Sequence, residues 1–270
     1  MKPLDKNKSA YKLEGFGPIF YLNLDRKPDR KAFIETQFQH WNITNYERIS
    51  AYDGTASDLS EHLIGCYPTN VTSQEIGCLT SHLKAIKHWL DNYDTPYAVF
   101  MEDDCIIDNA KYWNFTWKEF IAHAPIGWDC IQLAIICTGD IHVVIHNRFV
   151  NDFSTCCYVI TRRYGQKLVD LFCKGGKFKL DQNVRPRVVS DDLIYNTGLT
   201  FATPLFLYNV HLGSDIHEDH VDIFHKQSYD GLKRYWQNAG GQLTVEQITN
   251  YDPYLSRISN PTMPEEQPST

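Results

Sequence analysis

No stretch of the 270-residue chain approaches the roughly 18 consecutive apolar residues that a membrane-spanning helix needs, and the longest apolar runs are short ones such as Ile131 to Cys137. No membrane span is expected. Positive charge is also in short supply: 26 Lys and Arg stand against 33 Asp and Glu, a formal net charge of -7. That balance is wrong for a chain that lives on phosphate backbones, so nucleic acid is not expected as a partner. The amino end, MKPLDKNKSAYKLEGFGP, scatters lysines among polar residues and has no apolar central region, so a secretory leader is not expected. G-x-x-x-x-G-K-[ST] and G-x-G-x-x-G runs are missing, as is G-x-S-x-G, which disfavours P-loop, dinucleotide and serine-hydrolase chemistry. None of the eight cysteines shows C-x-x-C spacing, and they read as reduced, buried small hydrophobes.

What is present is a packed α/β chain, since 43% apolar residues are ample for a core. Ile19 to Leu24 reads as a buried strand, and Pro28 opens a helix with Phe33, Ile34, Phe38 and Trp41 on one face. Tyr46 to Ala51 is a second strand, closed by the turn-favouring pair Asp53-Gly54. Thr72-Ser73-Gln74-Glu75 has capping-box form, and Ile76, Leu79, Leu83, Ile86 and Leu90 follow at helical spacing. Tyr97 to Met101 is an apolar strand that runs into Glu102-Asp103-Asp104. Cys130 to Cys137, Phe153 to Ile160 and Phe201 to Val210 read as further strands. A helix from about Arg162 to Phe172 is expected to end at Gly175-Gly176. The organisation expected is a polar extension over 1–17, one domain over 18–260 and a flexible tail over 261–270. Alternating strands and helices predict a mostly parallel sheet, whose ligands bind beyond the carboxyl ends of the strands.

Three adjacent carboxylates at a strand end repel one another unless a cation neutralises them, and a hard divalent ion is suited to that. Strand alternation predicts Glu102 and Asp104 on one side and Asp103 on the other. The plainer reading of such a run is a solvated turn. The stretch from His211 through His217 to His220 offers imidazoles to the same ion or forms a polar surface loop. Asp191-Asp192 is either a carboxylate base near an acceptor hydroxyl or a helix N-cap. Arg26, Arg30 and Arg162-Arg163 are cations available to phosphate or exposed arginines on helix faces.

An ordered series of motifs resembles glycosyltransferase family 25, the group that includes bacterial lipooligosaccharide and procollagen galactosyltransferases. Phe20 to Arg30 resembles the family's opening strand and basic turn, and Ala51-Tyr52-Asp53-Gly54 its next strand end. Glu75-Ile76-Gly77-Cys78-Leu79-Thr80-Ser81-His82 is similar to the family helix, followed by Met101-Glu102-Asp103-Asp104. Cys157 to Arg163 resembles the segment that usually reads Gly-x-x-Tyr-x-x-Ser-Arg, with Cys156-Cys157 where small residues are usual. Ser190-Asp191-Asp192 resembles the late acidic motif, and a looser similarity extends to the glycosyltransferase domain of lysyl hydroxylases.

The resemblance implies a GT-A type, Rossmann-like fold and an inverting transferase. Such an enzyme would move galactose or glucose from a UDP-sugar to a saccharide or hydroxylysine-type hydroxyl, as in lipopolysaccharide biosynthesis. It implies Mn²⁺ or Mg²⁺ at Glu102 and Asp104, completed by His211 or His217. Donor contacts fall to Asn23, Leu24, Asp25, Arg30, Asp53, Gly54, Ser81 and Asp103, with Asn23, Asp53 and Gly54 near the uridine or ribose. Asp191 or Asp192 would serve as base. With no leader read in the chain, a cytoplasmic setting, bacterial or viral, is expected. The competing expectations are a non-catalytic nucleotide-sugar or protein-binding module on the same fold, and a metal-dependent phosphohydrolase.

Overall fold

The computed structural model describes residues 7–55, 58–65, 68, 70–137, 141–180, 187–212 and 225–252. Its elements are β1 (Ile19–Asn23), α1 (Pro28–His40), β2 (Tyr46–Ser50), α2 (Ser73–Asn92), β3 (Tyr97–Glu102), β4 (Cys105–Ile106), α3 (Trp117–Ala122), β5 (Cys130–Ala134) and β6 (Ile136–Cys137). They continue with β7 (His146–Asn147), β8 (Asp152–Phe153), β9 (Cys157–Thr161), α4 (Arg162–Phe172), β10 (Cys173–Lys174), β11 (Lys177–Phe178), α5 (Ser190–Asn196), β12 (Thr200–Tyr208), α6 (Lys226–Ala239) and α7 (Val245–Ile248).

The main sheet has the order β2-β1-β3-β9-β5-β12-β4, with β7 also on β12. β1 pairs in parallel with β2 and β3, and β12 in parallel with β5. β9 is antiparallel to both β3 and β5, so those two share one direction. The α/β architecture with a mostly parallel, Rossmann-like sheet is therefore as expected, with β9 reversed at its centre and the two-residue strands β4 and β7 reversed against β12. The strands β1, β3, β5, β9 and β12 are buried on both faces, and period-2 alternation divides their side chains between two cores. Phe20, Leu22, Phe100, Tyr158 and Ile160 face α2, α4 and α5. Ile19, Tyr21, Val99, Met101, Ile131 and Val159 face α1, α3 and α6 through Phe38, Trp117 and Trp236.

Three readings are corrected. The run from Cys130 is two strands: β5 stops at Ala134, and β6 pairs with β8 in a small separate ladder. Phe153 to Ile160 is likewise divided between β8 and β9. Gly175 and Gly176, at φ +56° and +81°, form the turn of the β10-β11 hairpin instead of capping α4. Two consecutive positive φ angles are what a tight hairpin turn requires, and a helix cap needs only one.

The capping box of α2 is present as the sequence indicates: Thr72 accepts from Glu75 N–H at 3.2 Å, and Glu75 accepts from Thr72 N–H at 2.7 Å. What seats this helix is a glycine contact. A Cβ on Gly77 would lie 2.8 Å from Tyr52 O and 3.1 Å from Gly54 N, and one on Gly54 would lie 2.0 Å from Ser73 O. Only two bare backbones allow the first turns of α2 to lie against the Asp53-Gly54 turn. The seven cysteines among the described residues are free, and Cys66 lies outside them.

Candidate functional site

The carboxyl ends of β1, β2 and β3 open into a cleft with an empty volume of about 670 Å³. Its walls include Leu22, Asn23, Leu24, Arg26, Arg30, Asp53, Gly54, Gln74, Cys78, Ser81 and Glu102-Asp103-Asp104. The register sets these ends level, with Leu22 opposite Glu102 and Asn23 opposite Ser50. Every residue expected at the donor therefore lines the cleft except Asp25. That carboxylate turns to Arg48 and to Ser50 Oγ, 3.0 Å away, and is 74% exposed.

Asn23 is buried and fully committed. Its amide donates to Asp103 Oδ2 at 2.7 Å and to Lys27 O at 3.0 Å, and its carbonyl oxygen accepts from Arg48 Nε at 2.8 Å. Arg48 was not evident as a site residue in the sequence, because it lies inside a strand and reaches the turn only through pairing of β1 with β2. Arg26 Nε lies 2.5 Å from Asp53 Oδ2. This hydrogen bond, with those from Thr55, overcomes burial and holds the Asp53 carboxyl down at about 2. Ser81 does not face the cleft with a free hydroxyl, since it accepts from Tyr52 N–H at 2.8 Å and donates to Gly77 O at 2.6 Å.

The acidic triplet departs from simple alternation. β3 ends at Glu102 and the chain turns at once, so Asp103 enters the same cleft instead of pointing away. Arg30 clamps the turn, with Nε 3.1 Å from Asp103 Oδ1 and Nη2 2.7 Å from Asp104 Oδ2. Held in this way, with Asp103 buried, the triplet is not the solvated turn that an isolated acidic run would form. Burial, and then the charges of Glu102 and Asp103, push the Asp104 carboxyl up to about 7 against the pull of Arg30. Burial also acts to raise Glu102, but hydrogen bonds from His82 and Thr155 and the Arg30 charge bring it below the ordinary range. Thr155 Oγ1 donates to Glu102 Oε1 at 2.9 Å, and the buried His82 sets one ring nitrogen 3.4 Å from that oxygen and the other 3.0 Å from Tyr158 Oη.

Asp191 and Asp192 are not among the cleft walls. They occupy the first turn of α5, whose N-cap is Val189, so neither is an N-cap. Asp191 Oδ2 accepts from Ser154 N–H at 2.9 Å, and burial raises its carboxyl to about 6. Asp192 Oδ2 accepts from Arg187 N–H at 2.9 Å, and its carboxyl is likewise raised by burial. Ser154, at φ +97°, is held by Tyr195 Oη and Gln132 Nε2, which both donate to its carbonyl at 2.9 Å. His211 is exposed and edge-on to Tyr229 at 6.3 Å. Its candidacy rests on Asn209 two residues earlier, whose N–H donates to Asp104 O at 2.8 Å. His217 and His220 lie outside the described residues. Arg162 and Arg163 serve other ends: Arg162 donates to Tyr93 O and Leu90 O at the end of α2, and Arg163 pairs with Asp129.

A cleft at the carboxyl ends of parallel strands, with arginines set among carboxylates, defines a Rossmann-like α/β protein built to receive a small ligand. Residues 16–127, which include every cleft-lining residue, match the sequence model of glycosyltransferase family 25 (LPS biosynthesis protein). The chain is also 34% identical over 91 residues to "Putative glycosyltransferase R655" of Acanthamoeba polyphaga mimivirus, a match covering 32% of this chain and 28% of that protein. The chain thus aligns with little more than a quarter of that relative's length. The resemblance read from the motif series is established for the segment that builds the cleft. No helix among the described residues is long and apolar enough to cross a membrane.

Proposed function

We propose that this protein is a metal-dependent, inverting glycosyltransferase that moves galactose or glucose from a UDP-sugar to an acceptor hydroxyl of a saccharide or hydroxylysine type. The observation that carries the reading is that Asn23, Asp53-Gly54 and Glu102-Asp103-Asp104 meet in one cleft inside the family-matched segment. Arg26, 41% exposed beside Asp53, is the guanidinium placed to meet a diphosphate, while Arg30 is held on Asp103 and Asp104 and offsets part of the negative charge of the cleft.

The carboxylates fit a hard divalent ion. Asp104 is raised to about 7 first by burial and then by the charges of Glu102 and Asp103, which the single Arg30 does not offset, and a cation among these oxygen donors would neutralise the crowded charge. Glu102 and Asp104 are the residues that would hold Mn²⁺ or Mg²⁺, with His211 or His217 as further candidates. When bound, the ion supplies positive charge for the departing diphosphate. Asn23 and Arg30 keep Asp103 and Asp104 fixed at the cleft wall. Asp191 is the stronger candidate for the base, because a carboxyl near 6 is mostly ionised at neutral pH and still accepts a proton.

The test is UDP release from UDP-galactose and UDP-glucose, with and without Mn²⁺, in the presence of saccharide and hydroxylysine-peptide acceptors. Acceptor-stimulated release that requires the metal and disappears in Asp104→Asn is the expected result. Release that is indifferent to metal, or that persists in Asp104→Asn, would reject the assignment.

A further inference from the structure

We propose that Cys78, His82 and Glu102 form a second cation site, selective for a thiophilic divalent ion of the zinc class. Cys78 and His82 are four residues apart on α2 and share one face of it, and Glu102 meets them from the end of β3. A ligand atom from each, the Cys78 sulfur, a His82 ring nitrogen and a Glu102 carboxylate oxygen, lies within 4.8 Å of the other two. Ligands around a tetrahedral zinc are roughly 3.5 Å apart, given bonds of about 2.0 to 2.3 Å, so side-chain adjustments of about an ångström would close the site.

Three features favour an ion there over a hydrogen-bonded cluster alone. The ring nitrogen of His82 away from Glu102 is engaged by Tyr158 Oη at 3.0 Å, the outer partner that orients a metal-bound imidazole. Cys78 and Glu102 both line the cleft, so the fourth coordination position opens onto the ligand space. The thiolate sulfur sets the preference: sulfur beside an imidazole and one carboxylate suits zinc or cobalt, whereas Mn²⁺ and Mg²⁺ favour sites dominated by carboxylate and water oxygens. Binding converts the Cys78 thiol to a metal thiolate and releases its proton to solvent.

The binding itself does not depend on sugar transfer. Its consequence does rest on the proposed function: an ion that takes Glu102 withdraws it from Asp104, so the thiophilic ion should antagonise Mn²⁺-supported turnover.

The experiment is an anaerobic titration of the chelator-treated full chain with Co²⁺, read by the thiolate-to-cobalt band in the near ultraviolet and by the visible bands. One equivalent should develop both, and Zn²⁺ should displace them. Cys78→Ser should abolish the near-ultraviolet band, His82→Gln should abolish tight binding, and Tyr158→Phe should weaken binding about tenfold. Asp104→Asn should leave the cobalt bands intact while losing UDP–Mn²⁺ binding, which separates failure of this site from failure of the proposed function. As a measurement that needs no variant, Zn²⁺ should protect Cys78 of the wild-type chain from alkylation, followed by peptide mass. Absence of a thiolate band at one equivalent, its persistence in Cys78→Ser, unchanged binding in His82→Gln, or alkylation of Cys78 indifferent to Zn²⁺ would overturn the proposal.

Discussion

The hydroxyl of Thr155 donates to the Glu102 carboxylate at 2.9 Å, while the preceding N–H, that of Ser154, donates to Asp191 at 2.9 Å. Two adjacent residues thus join the acid at the end of β3 to the acid at the start of α5. Thr155→Val keeps the shape and removes the donor. The variant should lose about 1 kcal/mol of stability, the net worth of one such bond. Its Glu102 should protonate at higher pH, so the acid limb of the activity profile should move upward while neutral-pH donor affinity changes little. A pH–rate profile set beside thermal melts checks both.

Asp104 gives a pH dependence whose sign is fixed. Its carboxyl is raised from the ordinary 3.8 to about 7 in the folded protein, so the folded state holds that proton more tightly than the unfolded chain. The associated stability is present below about pH 4 and is lost as pH rises toward 7. Asp191, raised to about 6, acts in the same direction. Asp104→Asn should therefore flatten the fall in melting temperature of the metal-free protein between about pH 4 and 7, while losing its response to Mn²⁺. An identical slope in wild type and variant contradicts the raising of Asp104 by burial and by the neighbouring acids.

Asp191 and Asp192 separate by kinetics. If Asp191 takes the acceptor proton, Asp191→Asn should lower kcat by roughly 10²- to 10⁴-fold, the usual range for loss of a general base, with little change in UDP affinity. Asp192 receives the Arg187 N–H, so Asp192→Asn should act mainly on stability. Steady-state rates with both variants, beside UDP titrations, decide the matter; equal turnover in Asp191→Asn and wild type returns the base assignment to the other acids.

Gly77→Ala sets helix propensity against packing. In an open helix the exchange would stabilise by about 1 kcal/mol. Here the new Cβ would lie 2.8 Å from Tyr52 O and 3.1 Å from Gly54 N, both backbone atoms. Overpacking of that kind costs typically 1–3 kcal/mol, so the clash should win, lowering the melting temperature and weakening UDP binding by displacing the Asp53-Gly54 turn. A stabilised variant with intact binding would show that the helix does not seat the turn.

Much of this site was legible because its parts are local in sequence. The apolar run Tyr97 to Met101 followed by three acids located the cleft wall, and Thr72 with Glu75 marked the start of α2. The parts that were not legible depend on long-range pairing. Side-chain alternation carries no direction, so β9 could not be told from a parallel strand. The break after Ala134 leaves both pieces equally apolar. Asp103 shares the cleft with Asp104 only because the chain turns immediately after Glu102. The Asn23–Arg48 clamp and the Ser154–Asp191 contact join segments 25 and 37 residues apart, and no residue pattern announces them. Cys78, Ser81 and His82 lie on one face of α2, but the partners of Ser81 and His82, Tyr52, Tyr158 and Glu102, come from outside the helix.

The most direct measurement is the melting temperature of the full chain with UDP alone and with UDP plus Mn²⁺, using ADP and GDP as controls, since a ligand that binds only the folded state raises it. A rise with UDP that grows with Mn²⁺, is absent with the other two nucleotides, and is lost in Asp104→Asn is the expected result. No shift at saturating UDP and Mn²⁺, or equal shifts with all three nucleotides, would contradict it.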